Sequence, residues 1–182
     1  VNSIDTGIAD ELHAFALGHP GFVAAMQVWT DVFQPWTFRA VLIAVALWLL
    51  WRRRTRPAVW VLVTVALCGL ADSGLKALIG RPRPHWTHPV STAAGASFPS
   101  GHSLTSAMGC AVLLSLAWPL LGRRGRWLAS AVATLVPMIT GFTRLGLGVH
   151  YLSDVVGGWL IAVVIVAATT LALRPRPARP PA

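Results

Sequence analysis

The stretch Tyr151–Leu173, YLSDVVGGWLIAVVIVAATTLAL, decides the fold. After Asp154 it carries no charge, and it is long enough to cross a bilayer, which takes about 17–25 residues of helix. Four more apolar runs precede it, approximately Trp36–Trp51, Ala58–Ile79, Ser103–Leu121 and Trp127–Phe142. The runs at 36–51 and 127–142 are short and need their flanks to span. Arg39 would snorkel to the interface near the start of the first. Pro137 would kink the fourth or mark an irregular turn there. The reading is all-α, an integral membrane helical bundle with five predicted spans.

Composition agrees. The 182 residues are 55% hydrophobic and 12% charged, against roughly half apolar and a quarter charged in an ordinary soluble chain. The length suits one domain, drawn here over residues 1–173, with an interfacial segment at 1–35, a transmembrane core at 36–173 and an arginine-proline tail expected to be disordered at 174–182. In residues 1–35, Leu12, Phe15, Phe22, Met26, Trp29 and Phe33 form a rough apolar stripe broken by His19-Pro20-Gly21. With Glu11, His13, His19 and Asp31 beside it, this reads as interfacial helices. No signal peptide is apparent, and an outward amino terminus would then call for a sixth span ahead of residue 1.

The formal charge of +9 does not point to nucleic acid, because of where the charge lies. Of fourteen arginines, ten fall in three groups: Arg52, Arg53, Arg54 and Arg56; Arg123, Arg124 and Arg126; Arg174, Arg176 and Arg179. These groups occupy alternate gaps between the apolar runs, as expected for cytoplasmic loops. The remaining cations, Arg39, Arg81, Arg83, Arg144 and the single lysine Lys76, fall on the outer side. Cations placed against the topological preference need another reason, and an anionic ligand is the obvious one. Cys68 and Cys110 sit inside apolar runs and read as small buried hydrophobes.

Three polar clusters stand out, and the arginine loops place all of them on the extracytoplasmic side. His150 and Asp154 are four residues apart, so a helix would set them on one face. Asp154 would then bind one ring nitrogen and leave the other free to attack; a structural His–Asp pair at a helix start is the plainer alternative. Pro99-Ser100-Gly101-His102 precedes an apolar run, where Gly101 permits close approach and a helix start offers free N–H groups to an oxyanion. His102 would lie beside a bound phosphate, in place to protonate a leaving oxygen. Lys76 and Arg83 bracket a helix end stiffened by Pro82 and Pro84, and Arg144 adds another guanidinium fork. Arg81 reads as interfacial snorkelling, and Asp72, one turn before Lys76, as its partner. His85 and His88 resemble a metal pair only loosely. The chain has six acids, a scarcity that argues against a magnesium site, which ordinarily uses carboxylates.

Taken together, the strings resemble the signature of the type 2 phosphatidic acid phosphatase (PAP2) family, which includes vanadium-dependent haloperoxidases. Six residues separate Lys76 from Arg83-Pro84, Pro99–His102 matches in full, and Arg144, His150 and Asp154 keep the third part's spacing; Thr143 replaces its usual serine. The resemblance covers Lys76 to Asp154. It implies His150 as nucleophile, Asp154 orienting it and His102 as general acid and base. Lys76, Arg83, Ser100, Gly101 and Arg144 would bind phosphate, with no metal and no cofactor. The implied partners are the bilayer of a bacterial-type plasma membrane and a phospholipid or polyprenyl (pyro)phosphate substrate: polyprenyl pyrophosphate, phosphatidylglycerophosphate or phosphatidic acid. A haloperoxidase or phosphotransferase using the same cradle, or a non-catalytic lipid-phosphate binder, are the alternatives.

Overall fold

The computed structural model describes residues 2–173. Among them are seven α-helices: α1 (Ser3–Gly18), α2 (Pro20–Val32), α3 (Pro35–Trp51), α4 (Thr55–Ile79), α5 (Gly101–Ala117), α6 (Arg123–Gly146) and α7 (Leu152–Leu173), with a short 3₁₀ turn at Trp118–Leu120. The described residues contain no strand. The tail at 174–182 lies outside them.

Local chemistry sets the helix ends. The Asn2 side chain accepts from the Asp5 N–H at 2.7 Å and caps α1. Pro20 and Pro35 open α2 and α3, at the position where a missing N–H costs nothing. Gly80 closes α4 at φ 58°, its N–H bonded to the Lys76 carbonyl. Only glycine takes that left-handed cap freely, and Pro82 just beyond prevents the helix from resuming.

Five segments are long and apolar enough to cross a membrane: Pro20–Trp51, Thr55–Ile79, Gly101–Leu120, Arg123–Gly146 and Leu152–Leu173. The first begins at Pro20 rather than Trp36, because α2 continues the apolar run ahead of α3 across a short break at Phe33–Gln34. Of the segment read as interfacial, α1 alone stands outside the candidate spans. The fourth extends from Arg123 to Gly146 because its polar ends are also helical, and α6 passes through Pro137 without interruption.

α5 sits at the centre, packed against α3, α4, α6 and α7. Leu104, Met108 and Val112 on α5 meet Leu42, Val61 and Val166 from its neighbours in the buried core, which also holds Cys68. Leucines and valines such as Leu62, Leu70, Leu160 and Val163 face outward, where hydrocarbon replaces water. With lipid as apolar as the side chains, close packing and interhelical hydrogen bonds must hold such a bundle. The Thr64 and Thr169 hydroxyls, 2.9 Å apart, join α4 to α7 in this way. At Gly158 the α7 backbone lies against the start of α5: a Cβ there would meet the Ser100 carbonyl oxygen at 2.9 Å and the Leu104 nitrogen at 3.0 Å.

Backbone atoms cannot swing aside as a side chain would. Gly158→Val will therefore lower stability by about 1–3 kcal/mol, the usual cost of overpacking. Thermal unfolding in detergent checks this, and an unchanged midpoint would show that the two helices can separate freely.

Candidate active site

The ends of two helices and the starts of two meet at one end of the bundle. α4 delivers Lys76 and the turn that follows it, α5 opens at Ser100-Gly101-His102, α6 carries Arg144 in its last turn, and α7 opens just after His150. The arginines at 52–56 and 123–126 lie at the opposite ends of α4 and α6. Two clefts of about 610 and 430 Å³ flank Trp118 at that opposite end, and their linings include none of the residues considered below.

Asp154 is fully buried, and each of its oxygens is occupied. Oδ2 accepts from the Tyr151 N–H at 2.9 Å and from the Ser97 hydroxyl, and lies 3.4 Å from His150 Nδ1. Oδ1 accepts from Arg81 Nη1 at 2.6 Å. The other ring nitrogen, His150 Nε2, lies 3.0 Å from Arg83 Nη1. A guanidinium only donates, so Nε2 must be the acceptor, and in the neutral ring the proton sits on Nδ1 facing Asp154. The tautomer follows from the two partners: the lone pair points away from the carboxylate, toward the cations.

His150 is 3% exposed. Burial pushes its imidazole down to about 4; the Asp154 hydrogen bond opposes this, while Arg83 and Arg144 add to it. The ring is therefore neutral at physiological pH, as a nucleophile must be.

The loop between α4 and α5 clamps Arg83. Its Nε donates to the Gly95 carbonyl at 3.0 Å, Nη2 to those of Ala94 and Ala96, and Nη1 to that of Val149 at 2.8 Å. Lys76 pairs with Asp72 at 2.8 Å, as the one-turn spacing suggested, and its Nζ lies 3.2 Å from where a Cβ on Gly101 would be. Gly101 is thus the point at which backbone and lysine come together, and any side chain would intrude between them. Ser100 is buried and caps α5, accepting from the Ser103 N–H and hydroxyl; its own N–H donates to the Asp154 carbonyl at 3.0 Å, tying α5 to α7. His102, half-buried, is near enough to His150, Arg144, Lys76 and Arg83 to interact with their charges.

Arg144 is 7% exposed and donates Nη1 to the Thr30 hydroxyl at 2.9 Å, while its buried Nε has no partner. A buried guanidinium donor left unpaired is costly, and an anion within hydrogen-bond reach of Nε would relieve that cost.

All eight residues singled out from the sequence therefore gather at this end. One other reading is corrected. Arg81 does not snorkel at the interface: its guanidinium bridges Asp154 and Asp5, 2.9 Å from the latter, and lies 4.5 Å over the Tyr151 ring. The Gly80 cap and Pro82 turn it inward, and two buried carboxylates supply the attraction. Asp5, Ser97, Ser153 and Thr30 were also not anticipated. They are 57 to 148 residues from the groups they hold, and nothing in local spacing signals such contacts.

Residues 57–177 match the model of the PAP2 superfamily, and the chain belongs to that family. It is 31% identical over 134 residues to undecaprenyl-diphosphatase BcrC of Bacillus subtilis, a match covering 68% of this chain and 62% of that one. It is 29% identical over 116 residues to phosphatidylglycerophosphatase B of the same organism, covering 62% and 56%, and 34% identical over 134 residues to lipid A 1-phosphatase of Rhizobium etli, covering 65% and 54%. These matches span less than two thirds of each relative's length. The fold is similar to the crystal structure of a transmembrane PAP2 type phosphatidylglycerolphosphate phosphatase from B. subtilis, with a TM-score of 0.78 at 21% identity over 94% of this chain and 87% of that one. It is also similar to LpxE of Aquifex aeolicus, at 0.72 and 18% over 93% and 96%. With five apolar helices in this arrangement, the chain is an integral membrane protein.

The His150 ring should remain neutral at pH 5, where a histidine with the ordinary value near 6.5 is almost wholly protonated. ¹⁵N NMR of labelled imidazoles reads this directly; protonation of His150 near pH 6.5 would show that the site is wetter and less cationic than its geometry.

Proposed function

We propose that the chain is a membrane lipid phosphatase that removes phosphate or pyrophosphate from an amphiphile through a phosphohistidine intermediate, at a site on the extracytoplasmic face. The observation that carries this is the placement of the His150 ring: Nδ1 lies 3.4 Å from Asp154 Oδ2, and Nε2 points at the Arg83 guanidinium, 3.0 Å away, where a phosphoryl group would displace it.

In this reading His150 Nε2 attacks phosphorus, forming the N–P bond as the bond to the leaving oxygen breaks. The Nδ1 proton stays on the ring, and Asp154 stabilises the charge that develops there. His102 gives its proton to the leaving oxygen. It then takes one from water, whose oxygen attacks phosphorus, breaks the N–P bond and returns His150 to its resting state with release of phosphate. Arg83, Arg144 and Lys76 balance the charge spread over the phosphoryl oxygens, and the free N–H groups at the start of α5 add their dipoles. Entry of phosphate oxygens would draw Arg83 off Nε2 and supply the acceptor that Arg144 Nε lacks.

The names of the curated relatives support a lipid carrying a phosphate or diphosphate, since all three act on such molecules. The outward site is supported by the arginine groups at the other end of α4 and α6. Metal independence is supported by how the nearby acids are engaged: Asp72 with Lys76, Asp5 and Asp154 with Arg81. Each of these three already has a cation of the chain as its partner.

The test is phosphate release from undecaprenyl diphosphate, phosphatidylglycerophosphate, phosphatidic acid and lipid A 1-phosphate in mixed micelles containing chelator. Turnover is expected to persist in the chelator and to vanish in His150→Ala. His102→Ala should slow it by about 10²–10⁴, the worth of a positioned acid–base group. Multiple turnovers by His150→Ala would refute the intermediate. For orientation, single cysteines introduced beside Arg83 and Arg124 should differ in intact cells: an impermeant thiol reagent labels the first, and labelling of the second instead would invert the topology.

A further inference from the structure

We propose that Arg81 and Asp5 are positioning residues, a charge relay through which the amino-terminal helix α1 sets the proton affinity of His150. The inference rests on the reading of His150 as the nucleophile, but its direct readout does not require catalysis.

The relay is continuous. Arg81 donates Nη1 to Asp154 Oδ1 at 2.6 Å and to the Ser153 hydroxyl at 2.7 Å, and Nη2 to Asp5 Oδ2 at 2.9 Å. Asp5 in turn holds the first turn of α7: Oδ1 accepts from the Ser153 N–H at 2.9 Å and Oδ2 from the Ser153 hydroxyl at 2.6 Å. Burial works against the Asp5 carboxylate, but the bonds from Ser153 and Arg81 hold it below the ordinary range, so it is charged at neutral pH. Asp5 and Asp154 are 3% and 0% exposed. Charge interactions this far from water are weakly screened.

Neutralising Asp154 would require only one partner for Arg81. The guanidinium instead divides its charge between two carboxylates, so part of the Asp154 charge remains for the His150 Nδ1 proton. Removing Asp5 would turn Arg81 wholly to Asp154 and weaken that carboxylate's hold on the ring. Removing the Arg81 charge would leave Asp154 entirely to His150. The two changes therefore act on His150 in opposite directions, whereas a scaffold role alone predicts no such opposition.

The other charged or titratable groups around His150 are Arg83 on the loop, Arg144 on α6 with Asp31 of α2 behind it, and His102 on α5. Beyond these lie the Lys76–Asp72 pair on α4, Tyr151, and Asp10 and His13 on α1. None of them contacts both Asp154 and α1, as Arg81 does.

The experiment is ¹⁵N NMR titration of His150 in the full chain, run beside phosphate release from the lipid panel. Asp5→Asn should lower the midpoint below about 4, and Arg81→Gln should raise it by about a unit, as expected for one charge in a poorly screened site. Arg81→Lys keeps the charge but cannot fork to both carboxylates. It should raise the midpoint by less, and it serves if Arg81→Gln fails to fold. In turnover, Arg81→Lys should cost about tenfold to a hundredfold in kcat with KM little changed, the range for a group that orients a reactive one. Midpoints that stay put, or that move in one direction in both Asp5→Asn and the Arg81 variants, would overturn the relay. If the wild type releases phosphate and the midpoints do not move, the relay alone is wrong. If the midpoints move as stated but no lipid phosphate is hydrolysed, the proposed activity is wrong and the relay stands.

Discussion

Asp154 is a carboxylate with no contact to solvent, and the site end of the bundle is built around the cost of keeping it there. An ionised carboxylate stripped of water is strongly unfavourable unless charge and hydrogen bonds replace the lost hydration. Here the replacement comes from Arg81, Ser97, the Tyr151 N–H and His150. Arg81 follows α4, Ser97 precedes α5, and His150 and Tyr151 lead into α7, so satisfying one buried charge brings these helix ends together. The Ser100 N–H on the Asp154 carbonyl ties in α5 as well. The same contacts orient His150, so stabilising the buried charge also fixes the direction of the imidazole ring.

A second constraint works through the cations. Arg83, Arg144 and Lys76 crowd one face of the site without a full set of anionic partners of their own: Arg83 leans on carbonyl oxygens, Arg144 on a threonine hydroxyl, and only Lys76 has a carboxylate. Carbonyls and hydroxyls compensate a buried cation incompletely. The resting site thus holds positive potential in reserve, which suits a visiting phosphoryl group and also helps to keep His150 unprotonated. The positive potential and the lowered proton affinity of the His150 ring are two effects of one arrangement.

Much of this was legible in the residues. Apolar run lengths revealed a five-span helical protein, because the thickness of hydrocarbon demands them. Arginine placement groups the polar clusters at one end, and the His150–Asp154 and Asp72–Lys76 pairs can be read from their one-turn spacing. Where the reading fell short, short-range pattern was the wrong guide. The first crossing was started at Trp36 because Glu11, His13, His19 and Asp31 gave residues 1–35 an interfacial look, whereas Pro20 and Pro35 each begin a helix and the apolar run extends back to Pro20. Arg81 was assigned to the interface because an arginine beside a prolines-rich helix exit has that as its ordinary fate.

By itself, then, the amino-acid sequence determined the architecture and the chemical inventory: helices because of hydrophobic run length and capping residues, the site end because of charge asymmetry, and the His150–Asp154 and Asp72–Lys76 pairs because their helical spacing is local. Only the tertiary structure decided which charges neutralise which. Asp5 reaches Arg81 across 76 residues of chain, Thr30 reaches Arg144 across 114, and Arg83 settles on the His150 ring rather than on any acid. Those choices depend on which groups are stripped of water together when the helices pack, and no spacing along the chain records that.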